Sequence, residues 1–139
     1  MPGRFTIILF ILNLCVFNVA FSQNVQSTIA EMNTMLNPEY EFSAKGKTLL
    51  VKGFREGKQL KEEQVNVFDL DIESLFYSEA DGTVAVKCYS DLDGCVEQKL
   101  LLDKKKTYRI RFVIAVPSEM GTTVADTMRK LLSEMTNAR

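Results

Sequence analysis

The hydrophobic positions of this chain change period twice. From Asn24 to Leu36, Val25, Ile29, Met32 and Leu36 recur at spacings of three and four, with polar residues between them. That period lays one apolar stripe along a helix. Asn37-Pro38 ends it, because the residue before a proline avoids the helical region. From Tyr40 onward the pattern alternates, which places successive side chains on opposite faces of a strand. "YEFSA" (Tyr40 to Ala44), "TLLVKGF" (Thr48 to Phe54), "QVNVFDL" (Gln64 to Leu70), "SLFYSE" (Ser74 to Glu79) and "TVAVKCY" (Thr83 to Tyr89) read as strands. So do "CVEQKLLL" (Cys95 to Leu102) and "TYRIRFVIAV" (Thr107 to Val116). In the last of these Tyr108, Ile110, Phe112, Ile114 and Val116 are predicted to share one face. The segments between carry turn residues: Lys45-Gly46-Lys47, Arg55 to Lys58, Asp81-Gly82, Asp93-Gly94 and "LDKKK".

After Pro117 the period returns to that of a helix. Met120, Val124, Met128, Leu131 and Met135 form its apolar stripe, and Thr123 to Asp126 has the composition of a capping box. The order is therefore helix, about seven short strands, helix. Turn-linked neighbours give an antiparallel meander, so the fold class is α+β. An amphipathic helix has to cover the apolar face of such a sheet or plug its open end. The run "RIRFVIAVPSEMGTTVADTMRKLLSEM", a last strand feeding directly into a helix, is similar to the end of a pleckstrin-homology-like barrel. The resemblance spans Tyr40 to Met135 and is one of arrangement. It implies a strongly bent sheet or barrel, with the usual lipid site at the first strand turn, here Lys45 and Lys47. An exported domain does not meet a cytoplasmic phosphoinositide, so that function is not carried over. The competing arrangement is an open antiparallel sheet with both helices packed on one face.

Export is read from the N-terminus. Arg4 precedes a nearly continuous apolar stretch, Phe5 to Val19, and Ala20-Phe21-Ser22 follows. This is the pattern of a cleavable signal peptide, residues 1–22, with cleavage before Gln23. The stretch is short for a membrane span, which takes about 20 residues. The mature chain, residues 23–139, is then a single globular domain with no transmembrane segment. Removing Arg4 leaves 16 basic against 18 acidic residues, a net charge of −2, where the full chain has −1. That balance argues against a nucleic-acid partner, which calls for a strong positive field. Cys15 leaves with the signal, and Cys88 and Cys95 remain. An even pair in an exported chain favours a disulfide, worth about 2.5 kcal/mol for so short a loop. Cys88 alternates with Val84 and Val86, whereas Cys95 alternates with Glu97 and Lys99. The two fall on opposite faces of a regular hairpin, and a β-bulge would be needed to bring them together.

The chain has no histidine, which removes Ser-His-Asp and Cys-His catalysis and the commonest zinc ligand. Glu62-Glu63, Asp69-Asp71 and Asp91-Asp93 are the visible carboxylate pairs. Asp91 and Asp93 begin like a calcium loop, but counting from Asp91 puts Leu102 where the bidentate glutamate belongs. Met32 and Met35 have a spacing that suits Cu(I), although methionine also fills cores. No catalytic residue, metal or cofactor is assigned. Lys99, Lys104, Lys105, Lys106, Arg109 and Arg111 are the candidate anionic-partner patch, suited to lipid headgroups or polyanionic glycans. The expectation is an exported, non-enzymatic binding domain, periplasmic or extracellular, whose partner is a protein or an envelope component. A small hydrophobic-ligand carrier and a carboxylate-dependent hydrolase are the alternatives.

Overall fold

The computed structural model describes residues 23–137; the signal peptide expected at residues 1–22, with its Cys15, lies outside them. Helix α1 (residues 23–36) buries Val25, Ile29, Met32 and Leu36, the stripe its period predicts. Eight antiparallel strands follow: β1 (Tyr40–Lys45), β2 (Thr48–Arg55), β3 (Lys58–Asn66), β4 (Leu70–Ser78), β5 (Thr83–Cys88), β6 (Val96–Leu100), β7 (Lys105–Arg109) and β8 (Arg111–Ala115). Helix α2 (Gly121–Asn137) is the last described element. The strands form two sheets, ordered β1-β2-β3-β6-β7 and β4-β5-β8, and no closed barrel. No described helix is long and apolar enough to cross a membrane.

The two sheets share their strands. Three long arms, residues 58–78, 83–100 and 105–115, each contribute their two halves to different sheets. The predicted strand Gln64 to Leu70 is split for this reason. Its centre, Val67–Asp69, is a 3-10 turn in which Val67 N–H donates to Lys47 C=O at 2.9 Å and the Asn66 side chain accepts from Phe68 N–H at 3.0 Å. The second arm likewise leaves its sheet between Cys88 and Val96, and the third bends at Ile110. In β4 the register jumps from Asp71↔Lys87 to Phe76↔Ala85. There the Ser74 hydroxyl replaces the missing ladder partner: it accepts from Lys87 N–H at 2.9 Å and donates to Asp71 C=O at 2.6 Å.

One core serves both sheets and both helices. Phe42, Leu49, Val51, Val65 and Val96 face it from the larger sheet, and Val84, Val86, Phe112 and Ile114 from the smaller. Val124, Met128, Leu131, Leu132 and Met135 of α2 complete it, and Met32 and Met128 are fully enclosed as core fillers. The helices meet through the Thr28 hydroxyl, which donates to the Glu134 carboxylate at 2.8 Å. On the free side of β1, Asn33 takes the place of a neighbouring strand. Its amide accepts from Phe42 N–H at 2.6 Å and donates to Phe42 C=O at 3.0 Å. An edge that would otherwise template association is thereby closed. The predicted capping box does not form. α2 starts at Gly121, directly after the 3-10 turn Ser118–Met120, so Thr123 already lies inside it. There its C=O accepts from the Thr127 hydroxyl, and Asp126 pairs with Arg129 at 3.0 Å.

Candidate functional site

The cysteines mark the most unusual local geometry. The predicted hairpin, in which Cys95 to Leu102 returns along β5, is not what the chain does. β5 and β6 run in the same direction, both antiparallel to the arm 105–115. From Lys87↔Arg111 to Val96↔Arg109 the second arm advances nine residues and the third retreats two, an excess of seven. Six of these residues leave the ladder as an excursion, Tyr89 to Gly94. The sulfurs of Cys88 and Cys95 stand at disulfide distance across its base, with Cα atoms 5.8 Å apart. Both backbones remain anchored: Cys88 N–H donates to Ile110 C=O at 2.9 Å, and Cys95 N–H to Arg109 C=O at 3.1 Å. The β-bulge that alternation asked of a β5–β6 hairpin does not occur, because β5 and β6 do not pair; the excursion on the second arm brings the cysteines together instead. Gly94 closes the excursion at φ 142°, where a Cβ would meet Tyr108 Cβ at 3.0 Å.

An odd excess has a consequence for every side chain beyond it. Opposed residues in an antiparallel ladder share a face, and a shift by an odd number exchanges the faces. Val86 opposes Phe112 and both are buried. Past the excursion, buried Val96 opposes Arg109, and buried Gln98 opposes Thr107. The apolar stripe of the third arm is cut at Ile110. Phe112, Ile114 and Val116 enter the core, whereas Tyr108 (65 % exposed) and Ile110 (66 % exposed) turn to solvent. This corrects the expectation that all five share one buried face.

These two side chains border an open groove of about 700 Å³ between the excursion and the third arm. Tyr89 and Leu92 line it from the excursion, and Lys87, Arg109 and Arg111 add positive charge to its rim. The six cations named from the sequence lie along or beside this arm, but not on one face. Lys99 and Lys106 oppose each other on the outer sheet face, close to Glu97. A hydrogen bond from Gln64 (2.7 Å) and the Lys106 ammonium (3.2 Å) hold the Glu97 carboxyl below its usual pKa range. Lys104 sits in the turn after β6 at φ 53°, and Lys105 opens β7. Arg109 and Arg111 also line a smaller groove, about 290 Å³, with Tyr40, Lys61, Glu63 and Gln98. Glu63, only 3 % exposed, is neutralised by Lys61 at 3.0 Å. It is the single acid among the described residues of that groove.

The other carboxylate pairs are dispersed. Glu62 and Glu63 point to opposite faces of β3, and Asp91 and Asp93 are both exposed on the excursion. Among the described residues no group of three acids, cysteines or histidines converges as a metal site would require. Lys47, in the turn before β2, donates to Met135 C=O at 2.6 Å and lies 5.4 Å from the Phe68 ring centre. Sequence reasoning missed Lys87, Tyr89, Tyr108 and Ile110 as surface groups. The available signal was the run "KKKTYRIR", which interleaves apolar residues with cations, together with the odd count across the cysteines. Compared with family models, curated proteins and solved structures, the chain gives no match.

Proposed function

We propose that this protein is an exported binding domain that acts through the surface at the bend of its third arm and performs no chemistry of its own. One observation carries the proposal. Tyr89, Tyr108 and Ile110 are exposed together on a well-anchored frame, beside Lys87, Arg109 and Arg111. A soluble surface gains nothing from holding large apolar groups in water, and such clusters mark interaction sites. Tyrosine and arginine are also the residues that dominate binding energy at interfaces. Export is supported by the apolar stretch Phe5 to Val19 and by the Cys88–Cys95 pair, which suits an oxidising compartment.

The test is affinity capture of the mature protein from its native envelope or medium, beside Tyr108→Ser/Ile110→Ser. Both positions are largely exposed, so thermal melts of the two proteins should agree. A specific partner recovered with the native protein and lost with the double variant is the expected result. No specific partner, or recovery indifferent to the substitutions, would overturn the proposal.

A further inference from the structure

The third arm is the outermost strand of both sheets, β7 in one and β8 in the other. From Lys104 to Arg111 five of eight residues are cationic and none is acidic, on a chain of net charge −1. The protein thus separates its charge, holding a local positive field against an acidic whole. Lys106 is paired with Glu97. The side chains of Lys104, Lys105, Arg109 and Arg111 have no hydrogen bond or ion pair among the described residues. The same stretch exposes Tyr108 and Ile110, and Leu102 is 90 % exposed in the turn that leads into it.

We infer that this arm lays the protein on an anionic phospholipid surface. The inference rests on the binding role proposed above and names its partner. Unpaired ammonium and guanidinium groups meet lipid phosphates, and their long stems lie along apolar surface while the charged ends stay wet. Tyr108 and Tyr89 have the apolar body and polar tip that suit the boundary between headgroups and chains. Ile110 and Leu102 gain only from a partner with an apolar interior. A nucleic acid or a sulfated glycan would reward the cations and leave both in water. An acidic protein segment would occupy the groove, and Leu102 is not among the residues that line it. The nearby acids are Asp91, Asp93 and Asp103, with Glu97 opposite Tyr108 but paired with Lys106 and Glu63 paired with Lys61; together they are fewer than the cations, so the local field stays positive.

The chain contains no tryptophan, so Tyr108→Trp introduces a unique fluorescent reporter at the proposed contact. The mature protein is mixed with vesicles of phosphatidylcholine alone, or with roughly 30 mol % phosphatidylglycerol added. Co-sedimentation with the anionic vesicles only, falling as salt is raised, is expected, with a blue shift of the introduced indole. Lys105→Gln/Arg109→Gln/Arg111→Gln should lower partitioning about tenfold or more. Leu102→Ser, in an exposed turn that folding does not depend on, should also lower it at unchanged charge. Three results would overturn the inference: no partitioning, equal partitioning to neutral vesicles, or binding with no shift of the indole emission. If vesicles are ignored while Tyr108→Ser/Ile110→Ser abolishes capture of a protein, the lipid inference falls and the binding role stands. If neither vesicles nor captured partner respond to the substitutions, both fall.

Discussion

Breaking the Cys88–Cys95 link should cost about 2.5 kcal/mol, the loop-closure entropy that an eight-residue ring removes from the unfolded chain. The backbone bond from Cys88 N–H to Ile110 C=O involves no sulfur, and Cys95 N–H, which also donates to Cys88 Sγ at 3.2 Å, keeps Arg109 C=O as an acceptor when the link is broken. These two backbone bonds hold the base of the excursion after reduction, so the native register should survive and the loss should arise largely in the unfolded state. A domain of this size is stable by about 5–15 kcal/mol, so the reduced protein should remain folded. Its melting temperature should fall by roughly 10 °C. The assay is urea unfolding followed by far-ultraviolet circular dichroism, oxidised against reduced, with Cys88→Ala/Cys95→Ala as the reagent-free control. The denaturant slope should rise slightly on reduction, because a released excursion lets the unfolded chain expose more surface. A thiol assay on the denatured, unreduced protein should find neither Cys88 nor Cys95 free. A change in stability below about 0.5 kcal/mol would refute the chain-entropy argument for this loop.

Three further outcomes follow from particular contacts. Gly94→Ala should cost about 1–3 kcal/mol in a urea melt, since φ 142° is a glycine conformation and the new methyl would press on Tyr108. Asn33→Ala leaves Phe42 N–H and C=O without their partner at the β1 edge; a loss of about 1–3 kcal/mol and a concentration-dependent tendency to associate are expected, read by melting and light scattering. Glu97→Gln tests the lowered carboxyl. A depressed folded pKa stabilises above the unfolded carboxylate pKa and is lost as pH falls through the folded value. The stability gap between native protein and variant should therefore close on acidification below the usual carboxylate range. The pair lies on an outer sheet face, so the gap at neutral pH should be small. A gap that widened in acid would contradict the assignment.

The helices and most strand boundaries were legible in the sequence because each is set by local periodicity. Val25 to Leu36 and Val124 to Met135 bury the stripes their spacing predicts, while Met120 lies in the 3-10 turn before α2 and is only partly buried; Asp81-Gly82 turns the chain where it should. The cation-rich run from Lys104 to Arg111 was equally plain. What local pattern could not contain was which strand lies beside which. Cys95 to Leu102 looked like the return arm of a hairpin, yet it continues in the direction of β5 and pairs with β3 and β7. Once the second arm runs seven residues ahead between its two ladders, the alternation of the opposite arm changes face at Ile110. The sequence by itself thus determined the helices, most of the strands, the class and the charge, while the breaks at Val67–Asp69 and Ile110 came from the sheets. Only the tertiary pairing decided that Phe112 and Ile114 are core while Tyr108 and Ile110 are surface. A strand's period states which residues share a face, and only its neighbour's register states which face is inside.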